Sequence, residues 1–401
     1  MADAALPHIL ALDDLEAAAR RLLPRAVYGF AAGGVETDAT LHANRAAFEA
    51  WRFVPRVLVD VAARNAAASL FGRRHAAPFG IAPMGGACMF RRQGDLELAR
   101  GAEASGIPFV LSGVSAVRLE TIRDAAPGSW FQAYFPQGSE QMPALIDRVG
   151  TAGYEVLVVT VDVAVAANRE NNLRNGWSMP LRLGPRILAD VLAHPRWLWR
   201  VGLPACCRAM PHFENLAAER GAPLFGHGAA TQRATALDWR DIELIRRRWP
   251  GKLVLKGILS PGDAALAAGA GVDGIVVSNH GGRQLDHAAA SLDMLPAIRA
   301  AVPGLAVLLD GGVRRGTDVL KALALGADFV LIGRPFLYAT ALAGAGGVVR
   351  TASLLKDEIA RGLGMLGVAG VAQLTRECLV PAFRTPSTDN RHSHAPARDT
   401  I

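Results

Sequence analysis

Eight short runs of apolar and β-branched residues recur along this 401-residue chain, and the stretches between most of them have helical spacing. That alternation leaves few architectures open. The runs are FGIAP (79–83), PFVLS (108–112), WFQAY (130–134), VLVVTVD (156–162), LVLKG (253–257), GIVVS (274–278), AVLLD (306–310) and FVLIG (329–333). Between them lie Ala/Leu-rich segments such as Asp95 to Ala104, Pro261 to Ala268 and Gly316 to Leu325. The last two open on Pro or Gly with an Asp in the first turn, where a carboxylate suits the positive end of a helix. Eight βα units predict an α/β fold, a (β/α)8 or TIM barrel, with an N-terminal helical segment and a long insertion after the fourth strand. A barrel of about 250 residues with these additions fits one domain, expected over 1–383, followed by a mobile tail, 384–401, of low apolar content.

In such a barrel the loops that follow the strands form the reactive face. The residues at or just past the strand ends are Pro83, Met84 and Gly85, Ser112, Gln132 and Tyr134, Thr160 and Asp162, Lys256, Ser278 and His280, Asp310, and Gly333 with Arg334. An apolar core has no use for Lys256 or Asp162 there, because burying an unpaired charge is costly. The rim therefore reads as one ligand site. Its densest part is GIVVSNHGGRQLD (274–286), where an acid/base group, His280, and a planar cation suited to a carboxylate, Arg283, leave the same strand end together with Asp286. After the last two strands, DGGVRRGTD (310–318) and IGRP (332–335) pair Gly-rich turns with Arg314 and Arg334, the parts of a phosphate site. A literal GxGxxG at 269–274 follows a helix and precedes a strand, the reverse of the dinucleotide order, so it carries no cofactor reading.

Together, SNHGGRQLD, the Lys of LVLKG, the Asp of TVDVAV, FQAY, IAPMGG, DGGVRRGTD and IGRP resemble the FMN-dependent 2-hydroxy acid dehydrogenase and oxidase family, from about Leu23 to about Val380. Within that family the chain is most similar to the mandelate dehydrogenases, on AWRF (50–53), TVDVAVAANRE (160–170), HPRW (194–197) and GDLELARGAEASGIPFVLS (94–112). The resemblance implies FMN as cofactor and oxidation of an (S)-2-hydroxy acid to the 2-oxo acid. His280 would take the C2 hydroxyl proton while hydride passes to flavin N5, and Asp162 would stabilise the resulting imidazolium. Arg283 and Arg169 would hold the substrate carboxylate, Tyr134 the oxygen that becomes the ketone, and Lys256 the flavin N1 and O2 edge. Pro83, Met84, Gly85, Ser112, Gln132, Thr160 and Ser278 would line the flavin, with Asp310, Gly311, Arg314, Gly333 and Arg334 towards ribityl and phosphate. A homo-oligomer, a tetramer, and oxygen or a quinone as electron acceptor also follow from the resemblance.

Two departures bear on the substrate. Phe30, in YGFAAGG (28–34), stands where the family usually has a Tyr that binds the carboxylate, and a lost hydrogen bond to a charged group weakens binding by about 1.5–3 kcal/mol. Val114 stands where small-substrate members often carry a Trp. A wider, more apolar pocket is expected, suited to a bulky or aromatic substituent, or to an ester, amide or peptide-linked derivative. Lys256 at a strand end leaves a different chemistry open, a Schiff-base lyase of the aldolase type.

Bulk features exclude other classes. A net charge of +7 comes from scattered Lys and Arg with no nucleic-acid motif, and no metal-ligand or CxxC spacing links the four cysteines. The longest uncharged apolar-rich run, 335–349, is shorter than the roughly 20 residues of a membrane span. A reducing cytoplasmic setting is expected, with peripheral contact at the inner face of the membrane as its variant. The inserted excursion, 171–240, motivates that variant: between Arg174 and Arg208 it holds six Arg against Asp190 alone, with Trp177, Trp197 and Trp199 among Ile, Leu and Val. An active-site lid or an oligomer contact is the other use for it.

Overall fold

In the computed structural model, which describes residues 6–135, 141–176, 184–207, 211–216 and 237–382, all eight apolar runs become parallel strands of one sheet. They are β1 (Phe79–Ile81), β2 (Val110–Ser112), β3 (Trp130–Ala133), β4 (Val156–Thr160), β5 (Lys252–Ile258), β6 (Gly274–Val277), β7 (Ala306–Asp310) and β8 (Phe329–Ile332). From β2 to β8 neighbours in sequence pair, β8 pairs with β1, and a parallel bridge between Ile81 and Phe109 closes the ring. The strands are buried almost end to end, which explains their unbroken Val/Ile/Leu character: a parallel strand covered on both faces has no solvent side to mark with polar residues. The interior is packed with Val110, Trp130, Val158, Val254, Val276, Leu308, Phe329 and Leu331. The opposite strand faces meet the surrounding helices.

The anticipated helices are present as Gly94–Ala104, Pro261–Gly269 and Gly316–Ala324. Gly269 ends a helix and Gly274 opens β6, so the GxGxxG string is divided as its order required. Three N-terminal helices, Leu12–Leu22, Arg25–Ala32 and Ala39–Glu49, precede the barrel. The second and third lie against the strand-end rim. Asp286 accepts hydrogen bonds from the backbone of Thr37 (2.9 Å) and Thr40 (3.0 Å) and from the Thr37 hydroxyl, while Asn44 and Asn279 exchange reciprocal amide bonds of 2.8 Å. Asp286 is thus an anchor of the loop and not one of its reactive groups.

Up to Cys207 the described part of the excursion is mostly helical, with segments Glu170–Arg174, Pro185–Ala193 and Pro195–Trp197, a π turn over Leu198–Gly202, and Leu203–Cys207. Among its docking contacts, Asp190 accepts from the backbone N–H of Arg25 (2.7 Å), Trp197 Nε1 donates to Met89 O (2.8 Å), and Asn215 bridges Val117 and Leu119, which follow β2. Trp177 and the 384–401 tail lie outside the described residues.

Candidate active site

Glycine and a bulge bring the charged groups together. The β5/β6 pairing shifts register between Lys256 and Ile258, at Gly257 with φ +114°, and a Cβ on Gly257 would stand 2.5 Å from that of Asp162. Only glycine lets β5 pass so close to the loop after β4. Lys256, buried, pairs with Asp310 (2.9 Å) and donates to Ser278 Oγ (2.9 Å). Burial disfavours its charge, but Asp310 and then Asp162 outweigh this and raise its pKa, so Lys256 is an ammonium and not the free amine a Schiff base needs.

Ser278 Oγ also accepts from the backbone N–H of His280 (3.0 Å), which adopts a positive φ of 59°. That conformation is rare for a residue with a side chain and is held here by the surrounding bonds. His280 Nδ1 lies 3.0 and 3.1 Å from the two carboxylate oxygens of Asp162. A carboxylate only accepts, so this contact assigns the proton to Nδ1 and leaves Nε2 the basic nitrogen. Burial, with Lys256 and Arg169 nearby, lowers the His280 pKa despite Asp162, while the Asp162 carboxyl is held below its usual range by His280 and Lys256 against its own burial. Both directions favour a neutral imidazole on an ionised carboxylate.

Four arginines crowd the same rim. Burial, then Arg169, then Arg334 push Arg283 well down, and burial and then Arg314 push Arg334 down to about 10. A guanidinium keeps its charge in proteins, so this crowding favours anions beside it. Arg283 donates to Gly33 O (2.7 Å) and lies over the Phe30 ring at 5.2 Å; Arg334 donates to Ala31 O (2.8 Å) and Gly281 O (3.0 Å). Arg169 donates to Arg283 O (3.2 Å) and Gln284 Oε1 (2.8 Å). Tyr134 follows β3 and is close enough to act electrostatically on both Lys256 and Arg283.

On the facing wall, a Cβ on Gly85 would meet Val114 at 3.0 Å, and one on Gly86 would meet Met89 at 2.6 Å and Phe30 at 3.8 Å. Phe30, Met89 and Val114 therefore cluster at the Gly85–Gly86 turn. Met84 lies beside Gly333, while Pro83 follows β1. Ser112 Oγ donates to Gln132 Oε1 (3.2 Å), whose amide donates to Ala133 O. Gly311 and Gly312 take φ of 100° and 80° beside Arg314.

The residues at these strand ends fit a flavin mononucleotide. Thr160 Oγ1 and Asp310 Oδ1 are buried without a protein partner, a costly condition unless a bound group satisfies them. A buried ammonium and a Gly-rich turn flanked by two arginines complete a donor set for an electron-poor ring at one end and a phosphate at the other. Hydrogen bonds and ion pairs link His280, Asp162, Lys256, Ser278, Asp310, Arg169, Arg283 and Arg334 on this rim, whereas Asp286 is taken up by Thr37 and Thr40. Sequence reasoning missed Asn44, Asn279, Met89 and Gln284; of these only Asn279 and Gln284, inside SNHGGRQLD, stood in a motif that could have flagged them.

A family model described as FMN-dependent dehydrogenase matches residues 19–381. An L-lactate dehydrogenase of Ectopseudomonas mendocina (strain ymp) is 39% identical over 380 residues, covering 93% of this chain and 99% of that protein, and one of Yersinia pestis (strain Pestoides F) is 38% identical over 383 residues, covering 94% and 99%. Among solved structures, the monotopic membrane protein (S)-mandelate dehydrogenase matches with a TM-score of 0.88 at 36% identity, covering 94% of this chain and all of that one. A mandelate oxidase matches with a TM-score of 0.79 at 37% identity, covering 93% and 98%.

Proposed function

This chain belongs to the FMN-dependent dehydrogenase family, and from that premise we propose that it oxidises an (S)-2-hydroxy acid with a bulky or aromatic C2 substituent, mandelate-like, to the 2-oxo acid. The observation that carries the reading is the His280–Asp162 pair three residues from Arg283, with Arg169 alongside. Arg283 and Arg169 hold the substrate carboxylate, and Tyr134 steadies the oxygen on C2. His280 Nε2 takes the hydroxyl proton, and Asp162, already bonded to Nδ1, stabilises the imidazolium. FMN, when bound, supplies the two-electron acceptor. Lys256, Ser278, Ser112, Gln132 and Thr160 would hold its ring and ribityl side, and Asp310, Gly311, Arg314, Gly333 and Arg334 would hold it towards ribityl and phosphate.

The substituent is read from the wall of Phe30, Met89 and Val114. A phenyl ring set against it gains ~25 cal/mol per Å² removed from water, while Phe30 gives the carboxylate no hydroxyl donor. Specificity constants for glycolate, lactate, mandelate and a mandelate ester test this. Mandelate should lead, and Phe30→Tyr should improve glycolate and lactate, by about tenfold or more for one added bond to a charged group, more than it improves mandelate. A parent enzyme preferring glycolate or lactate would overturn the wide-pocket reading, and a preference for the ester would assign a derivatised substrate.

The excursion supports a peripheral membrane contact, with a quinone as acceptor. Leu188, Leu192, Trp199 and Leu203 are exposed beside Arg196 and Arg200, the composition of an interfacial surface, and one of the similar structures is of a monotopic membrane protein. Among the described residues no helix is long and apolar enough to cross a membrane. The intact protein should co-sediment with anionic vesicles at low salt, and a Leu188→Ser, Leu192→Ser, Trp199→Ser variant should not. Absence of co-sedimentation by the parent would leave the excursion as a lid.

A further inference from the structure

One side chain joins the two halves of this site. Gln284 Oε1 accepts from Arg169 Nη2 (2.8 Å), and its Nε2 donates to the backbone carbonyl of Asp162 (2.9 Å). The amide cannot be turned around, because a guanidinium only donates and a carbonyl only accepts. Asp162 holds His280, and Arg169 stands seven residues further along the same loop, separated by a stretch in which Ala164, Val165, Ala166 and Asn168 are exposed. Two ties lie at its far end, from Glu36 N–H to Asn168 O (3.2 Å) and from Asn171 Nδ2 to Gly29 O (2.8 Å), and both run to the N-terminal helical segment. Gln284 ties Arg169 back to the dyad itself, from the loop that also carries His280 and Arg283.

We infer that Gln284 is a positioning residue that sets the carboxylate-binding Arg169 in register with the His280–Asp162 base, so that the carboxylate and the C2 hydroxyl of one substrate are met at a fixed separation. This rests on the function proposed above. Its chemistry follows from what the amide contacts. Losing it leaves Arg169 its bond to the Arg283 carbonyl but removes the tie to the backbone of Asp162, so the guanidinium that a carboxylate substrate needs and a neutral ester does not is less firmly set against the dyad, whereas Asp162 remains fixed by His280 and by the close passage of Gly257.

Two variants in the FMN-loaded enzyme test the assignment. Gln284→Met keeps the length and loses both bonds. It should raise KM for the hydroxy acid, and the inhibition constant of the 2-oxo acid, by about tenfold, the scale of one hydrogen bond to a charged group, while kcat changes less. The inhibition constant of the methyl ester of that 2-oxo acid should stay within about twofold of the parent's, since the ester offers Arg169 no anionic acceptor. Gln284→Glu keeps an acceptor for Arg169 but adds a negative charge beside the dyad, so the acid limb of its pH profile of kcat/KM should move to higher pH than in the parent or the Met variant. Parental constants for acid and ester alike in the Met variant, together with an unmoved acid limb in the Glu variant, would overturn the assignment. So would equal losses for acid and ester, which a merely structural role predicts. A parent enzyme that oxidises no 2-hydroxy acid would instead overturn the proposed function.

Discussion

His280→Ala should retain FMN and yet slow reduction of the flavin by a hydroxy acid at least about 10²-fold, the usual contribution of a positioned general base. The separation of binding from chemistry follows from the contacts: the His280 ring meets Asp162, while Ser278 and Lys256 stay tied to each other and to Asp310 without it. The pH dependence follows from the same environment. Burial, Lys256 and Arg169 hold the imidazole pKa below the ordinary 6.5 against the pull of Asp162, so the neutral, basic form prevails at pH 7. The parent's kcat/KM should therefore hold down to about pH 6.5 and fall only as His280 takes up a proton at lower pH. The Ala variant should lose that limb. Stopped-flow flavin reduction across pH checks both statements, and a variant reduced at the parental rate would remove His280 from the mechanism.

Arg314→Glu should release the cofactor. Arg314 is largely buried next to Arg334 and the Gly311–Gly312 turn, and its nearest anionic side chain is Glu16 at 3.9 Å, too distant to satisfy the guanidinium. A phosphate would do so with charge-assisted bonds. The substituted carboxylate would instead repel phosphate, Glu16 and Asp318, whose carboxylate already accepts from the backbone N–H of residue 314 at 2.8 Å. Arg334 is the less informative target, because it also fastens Ala31 and Gly281, so its loss disturbs the rim itself. The flavin-to-protein ratio after desalting should fall to near zero for Arg314→Glu. Chromatography of the cofactor extracted from the parent should give FMN; FAD, or full retention by the variant, would contradict the phosphate assignment.

The barrel was legible because its signal is local and repeated. Each strand, buried on both faces, had to be a short Val/Ile/Leu run, and each run ended in polar residues that an apolar core would reject. His280, Arg283, Lys256 and Asp162 were legible as chemistry for the same reason. The roles of their supports were not. Asp286 stood in the same motif as His280, and nothing in its residue type reveals that Thr37 and Thr40, some 250 positions earlier, consume its oxygens; such a pairing exists only once the N-terminal helices are set on the rim. The Asn44–Asn279 exchange and the Gln284 bridge were hidden likewise, since an amide has no preferred partner until geometry supplies one. The bulge at Gly257 was invisible because a glycine in a strand is equally a close approach, a bend or chance. The excursion's composition was legible, but its docking through Asp190 and Trp197 onto the elements that flank Phe30 and Met89 was not.

Anaerobic mixing of the FMN-loaded protein with (S)-mandelate tests whether it oxidises a 2-hydroxy acid through its flavin. The oxidised flavin should bleach in a single turnover, with the 2-oxo acid formed in amount equal to the flavin reduced, and (R)-mandelate should leave the flavin oxidised. Persistent flavin colour with every 2-hydroxy acid offered, in a protein whose flavin a chemical reductant still bleaches, would contradict the proposed oxidation.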